Sequence, residues 1–207
     1  MPALTIPFLP MALFAASLSL APGPVNLIIL STALNHGVSA PLRFITGATV
    51  GFTALLILTG LGLSATQALP DGAVDVISCL GALVILYFGY GLLRAEGTLD
   101  TRQIPVPGFW QGAALQWMNP KAWIACLSGV ALFNLQGKTL ELMQFSALYF
   151  IVCFCGIGAW AVLGHNLTRL LNTARRRRVL NIGLGLCLMV LALSLSAPAL
   201  LRLIGLD

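Results

Sequence analysis

QWMNPKAWI, residues 116–124, sets an amide, a proline and a full positive charge inside a stretch otherwise suited to lipid. Around it the chain is 58% hydrophobic and only 8% charged, where a soluble domain carries roughly 25% charged residues. Runs without Lys, Arg, Asp or Glu cover 1–42, 44–70, 76–93, 103–120, 122–137, 142–168 and 179–201. A helix needs about 20 residues to cross a hydrocarbon core. Residues 103–120 and 122–137 count as one crossing interrupted by Lys121, which predicts six spans at about 8–34, 44–69, 74–94, 109–135, 142–170 and 179–203. The apolar runs are continuous rather than alternating, and this selects helices over a barrel. Six spans with short connections occupy residues 1–207 as a single integral membrane domain, with no room for a soluble one. No Lys or Arg precedes the first span and it is too long for a signal h-region, so it is expected to stay in the mature protein.

The helix-breaking residues recur. MNPKAWIACLSGVAL (118–132) lies over APGPVNLIILSTAL (21–34) with Pro120 on Pro24, an offset of 96. CLGALVILYFG (79–89) lies more loosely over NIGLGLCLMVL (181–191), with Gly81 on Gly183. The expected architecture is all-α: two three-helix repeats, about 1–102 and 103–207, with helices 1 and 4 interrupted at their prolines. An odd number of spans per repeat gives the halves opposite orientation, the inverted plan of many secondary transporters. Proline lacks an N–H and clashes with the carbonyl four residues back, so Pro22, Pro24 and Pro120 are expected to free the carbonyls of Leu18, Leu20 and Gln116. Free carbonyls survive in a membrane where protein buries them or a polar cavity receives them. A kink packed on a neighbouring helix is the simpler alternative. Gly47, Gly51, Gly81, Gly89, Gly91, Gly156, Gly158, Gly183 and Gly185 read first as sites of close helix packing.

Arg43, Arg94, Arg102, Arg169 and Arg175 to Arg178 follow odd-numbered spans, eight cations against Lys138 and Arg202 on the other side. The positive-inside rule then makes those connections cytoplasmic and both termini periplasmic, in a bacterial inner membrane. Arg175, Arg176, Arg177 and Arg178 sit between two spans, which suits anionic lipid headgroups and excludes a nucleic-acid surface.

Lys121 is the one charge well inside a span, and intramembrane ionisable residues are costly and usually functional. It lies nine to thirteen residues into its span, about 14–20 Å deep, farther than snorkelling readily covers. No acidic residue falls inside a span, so its partner is either a freed carbonyl of the first break or an anionic ligand such as a carboxylate. Asn26 and Asn119 flank the breaks, where they either orient a substrate or cap a half-helix. Gly23, between two prolines, and Gln116 complete the candidate substrate-binding set, with Gln111 on the same path. His36 and His165 stand near cytoplasmic span ends, as headgroup-level polar residues or as a route for protons or substrate. Cys79, Cys126, Cys153, Cys155 and Cys187 all lie in spans without C-x-x-C spacing, the pattern of small buried hydrophobes. Nothing in the sequence has the spacing of a metal site, a nucleotide-binding loop or a hydrolase, and no cofactor is expected.

LAPGPVNLIILSTALNHG (20–37), GATVG (47–51), LGALVILYFGYGLL (80–93) and NPKA (119–122) together resemble the LysE/RhtB family of amino-acid exporters. FWQGAALQ (109–116) and WAVLGHNLTRL (160–170) look like its cysteine and O-acetylserine branch. The resemblance implies an inner-membrane carrier that expels amino acids on the proton-motive force, with Pro22, Gly23, Pro24, Asn26, Asn119, Pro120 and Lys121 as motif residues. Many members of the family have an acid near the position of Cys153. Its absence favours a neutral substrate over lysine or arginine. The expected function is alternating-access export of small neutral amino acids, in a chain that could form a homo-oligomer. The rival readings are a membrane thiol relay through the five cysteines and a non-transporting scaffold.

Overall fold

The computed structural model describes residues 7–62, 73–94, 106–170 and 173–203. Among them are eight helices and no strand: α1 (Phe8–Leu20), α2 (Pro24–His36), α3 (Leu42–Gly60), α4 (Ala73–Arg94), α5 (Phe109–Trp117), α6 (Pro120–Leu132), α7 (Thr139–Leu170) and α8 (Ala174–Leu203). Three are long and apolar enough to cross a membrane: α3, α7 over Thr139–Thr168, and α8 over Ala174–Arg202. The pair α1 and α2, bent by 61°, makes a fourth when counted as one span. The other two expected spans fall on α4 and on α5 with α6, and α6 has 13 residues, too few to cross alone.

Several boundaries differ from the sequence expectation. Helix α3 stops at Gly60 because Gly62 takes φ +83, a left-handed conformation that ends a helix; residues 63–69 of the expected span lie outside the described residues. Helix α8 begins at Ala174 rather than near 179, so Arg175 to Arg178 form its first turns instead of a loop. There the backbone N–H of Arg176 reaches Thr173 Oγ1 at 3.4 Å. Arg102, both termini and the expected boundary between the halves at 102/103 lie outside the described residues.

The extensive helix contacts run between the first four helices and the last four. Helix α4 packs along α8, α3 along α5, and α1 and α2 along α7, while α2 barely meets α3. Glycine makes these approaches possible. A methyl group at Gly47 would lie 1.9 Å from Phe109 O, one at Gly51 2.8 Å from Ala113 Cα, and one at Gly112 2.2 Å from Phe44 O. On α7, Gly156 receives Ser19 and Gly164 receives the Leu30 carbonyl, with prospective distances of 2.7 and 2.3 Å. Gly89 and Gly185 set the carbonyls of α4 and α8 face to face, and Gly81 lies against Met118 O. Gly91, Gly158 and Gly183 have nothing within 4 Å, so the packing role expected for them is absent; they stand on unpartnered helix faces. The interior also holds an aromatic cluster in which Phe52 stacks on Tyr149 at 4.5 Å and Phe14 meets Phe133 edge-on at 5.7 Å.

Candidate functional site

Both breaks restart on a proline. Pro24 opens α2 and Pro120 opens α6, first-turn positions where a missing N–H costs nothing because that donor has no helical partner. The first break is a change of helix rather than a kink, with Ala21 and Gly23 extended. Asn26 folds back across it, donating from Nδ2 to Ser19 O at 2.9 Å and to Ala21 O at 2.8 Å. The carbonyls taken up by side chains are therefore those of Ser19, Ala21 and Pro22 rather than Leu18 and Leu20, because α1 ends at Leu20 and its last turn lies open to the linker. Gln116 O, the third carbonyl expected to be free, accepts from Asn119 N at 3.2 Å.

At the second break Asn119 caps α6, its Oδ1 accepting from Lys121 N at 3.1 Å. Trp123 donates to Trp117 O at 2.7 Å, and Trp117 donates from its indole to Gly51 O at 3.0 Å. The two tryptophans fasten the break to itself and to α3. The sequence reading missed them, although Trp117 and Trp123 bracket MNPKA symmetrically.

Lys121 links the two breaks. Its side chain runs over Gly23, and Nζ donates to Ala21 O at 2.8 Å and to Pro22 O at 3.4 Å. Of the two partners considered from sequence, the carbonyls of the first break are the ones engaged. Ala21 O thus receives both Asn26 and Lys121, which fills its two lone pairs.

Beside this link lies a cavity of about 40 Å³, counted over positions open to the centre of a water molecule, enough for a few waters. Lys121, Asn119, Asn26, Gly23 and Gln116 all line it, and among the described residues Lys121 is the only formal charge in its wall. Ser19, Phe52, Tyr149 and Cys153 line it too. Of these four, sequence reading had singled out Cys153 alone. Gln111 is exposed and caps α5 by accepting from Gly108 N, so it takes no part in the cavity. His36, at the end of α2, and His165, on α7, do not line it. The five cysteines are free thiols, and no group of three metal-binding side chains occurs among the described residues.

The model of the LysE type translocator family matches residues 16–197. The chain belongs to that family. Its curated relatives include the cysteine/O-acetylserine efflux proteins of Escherichia coli (strain K12) and Shigella sonnei (strain Ss046). Each is 30% identical to this translocator over 177 residues, covering 84% of this chain and 89% of the relative. No solved structure matches it. Family membership and the apolar helices make the chain a membrane transporter and not an enzyme.

Proposed function

We propose that this translocator exports small neutral amino acids by alternating access, with the substrate held in the cavity between the two breaks. The observation that carries the reading is the Lys121 ammonium, the one charge in the cavity wall, lying across both breaks with no acid beside it. An ammonium has three N–H donors, and two point at Ala21 O and Pro22 O; the third is available to a carboxylate. A bound carboxylate would draw Nζ from Pro22 O first, the longer contact, and so loosen the link between the breaks. Asn26 spends both Nδ2 protons on the first break, leaving Oδ1 for the substrate ammonium. Asn119 and Gln116 shape the opposite wall. A wall without a second charge suits a zwitterion whose side chain is neutral, in line with the efflux substrates named for the relatives.

The six spans form two inverted repeats in this reading. Support comes from the pairing of contacts: exchanging the halves turns α3 on α5 and α6 into α7 on α1 and α2, and leaves α4 on α8 unchanged. The chain sits in the bacterial inner membrane with both termini periplasmic. Arg175 to Arg178, at a helix N-terminus whose dipole disfavours cations, bind anionic headgroups on the cytoplasmic side. The proton-motive force drives export, with Lys121 as the proton carrier.

Counterflow in proteoliposomes with labelled neutral amino acids tests the proposal, alongside Lys121→Ala. Wild-type protein should exchange at least one of cysteine, O-acetylserine, threonine, homoserine or leucine, and the variant should lose most of that flux. A Lys121→Ala protein that reaches the membrane and exchanges normally rules out the binding role. Flux indifferent to an imposed pH gradient rules out the proton coupling.

A further inference from the structure

Besides Lys121, the cavity wall carries a cluster of protic side chains. It consists of Ser19 of α1 and Tyr149 and Cys153 of α7, exposed to 5%, 2% and 3%. Residues 149 and 153 are one helical turn apart and share a face of α7, and Gly156, one turn further, seats the Ser19 side chain. The Tyr149 hydroxyl and the Cys153 thiol both come close to Ser19, and Thr49 of α3 stands beside Cys153.

Ser19 and Ser146 depart from the commoner pattern of this protein, and of the two only Ser19 lines the cavity. Helical hydroxyls here bond back to a carbonyl one turn earlier: Ser17 to Phe14, Thr32 to Ile28, Thr49 to Ile45, Thr53 to Thr49 and Thr59 to Leu56. Ser19 Oγ is buried and closes no hydrogen bond of good distance and angle, even with two protic neighbours. A buried hydroxyl left without a partner is destabilising, so such a group in a cavity wall is kept where a ligand completes it. Its place is held firmly from both sides, by Asn26 on its carbonyl and by Gly156 against its Cβ.

We infer that Ser19, Tyr149 and Cys153 form a side-chain subsite that selects substrates bearing a hydrogen-bonding oxygen or sulfur near the β-carbon over apolar isosteres. The inference rests on the cavity being the amino-acid site. With the carboxylate at Lys121, the substrate side chain lies within reach of the protic cluster, and Phe52, stacked on Tyr149, lines the same cavity. An apolar side chain of the same size fits the volume but leaves the Ser19 hydroxyl unpaired.

The test is counterflow by the full-length protein in proteoliposomes, comparing L-serine and reduced L-cysteine with L-2-aminobutyrate, their apolar isostere. Wild type should prefer serine and cysteine. Ser19→Ala should reduce that preference about tenfold, the worth of one hydrogen bond. Ser19→Cys, which keeps a small donor, should recover part of it. Tyr149→Phe keeps the ring stack and removes only the hydroxyl, and should shift the preference the same way. A preference unchanged in Ser19→Ala, or in Tyr149→Phe where Ser19→Ala does not reach the membrane, overturns the subsite and leaves the amino-acid site standing. Wild-type liposomes that favour 2-aminobutyrate do the same. Liposomes that carry no neutral amino acid overturn both.

Discussion

A single methyl group at Gly47 tests how the translocator is held together. Built on the α3 backbone, it would sit 1.9 Å from Phe109 O and 2.6 Å from Phe109 C, both backbone atoms at the start of α5. No rotamer can relieve a contact with backbone, so α3 and α5 must separate by more than 1 Å. Overpacking of this kind costs about 1–3 kcal/mol, against which alanine returns up to about 1 kcal/mol of helix propensity. For a chain of this size each kcal/mol moves the melting temperature by about 2–4 °C. Gly47→Ala should therefore melt roughly 5 °C below wild type in detergent, followed by loss of the monodisperse chromatographic peak on heating. Gly183→Ala is the internal control, with nothing within 4 Å of the new methyl; it should match wild type or exceed it. Transport should follow stability, because α5 carries Gln116 into the cavity wall and displacing it moves the second break. Equal melting of the two variants would refute the close approach of α3 and α5.

Other outcomes follow from the same geometry. Trp117→Phe loses the indole bond to Gly51 O and should cost about 1 kcal/mol in thermal stability, with a measurable fall in counterflow, since the bond ties the second break to α3. Asn35 and Asn181 exchange amide bonds at 3.3 and 3.4 Å between α2 and α8; a double-mutant cycle with alanine should give a coupling near 1 kcal/mol by denaturation. Arg202, itself exposed, grips the half-buried Asp75 at 2.6 Å, so Asp75→Asn should change stability by about 1 kcal/mol and the change should shrink in high salt. A variant with Cys79, Cys126, Cys155 and Cys187, the cysteines outside the cavity wall, replaced by serine should keep most of its flux, whereas a thiol relay would lose it.

The sequence exposed the breaks more fully than it exposed their surroundings. Proline has so few tolerated helical positions that Pro24 and Pro120 could be matched as paired breaks, although their first-turn placement is seen only in the structure, and the five residues picked beside them line one cavity. Lys121 was visible as a misfit, and the carbonyls of the first break were one of its two candidate partners. Backbone carbonyls have no letter in a sequence, so nothing singled out Ala21 and Pro22 among them or set them above a ligand. Ser19, Phe52 and Tyr149 stayed hidden for a related reason: each is ordinary in an apolar helix, and only the packing of α1 and α3 against α7 brings them together. Glycine showed the opposite failure. Gly91 and Gly183 looked the same in sequence as Gly89 and Gly185, and helix rotation alone decides which of them meets a neighbour.

The way α3 clasps α5, α7 clasps α1 and α2, and α4 lies along α8 has a bearing on how such a chain can be cut. Severed in the connection between α4 and α5, neither piece would retain an extensive interface of its own, yet each would present the other with every surface it needs. Two separately synthesised fragments should thus assemble only as a pair, with neither stable alone.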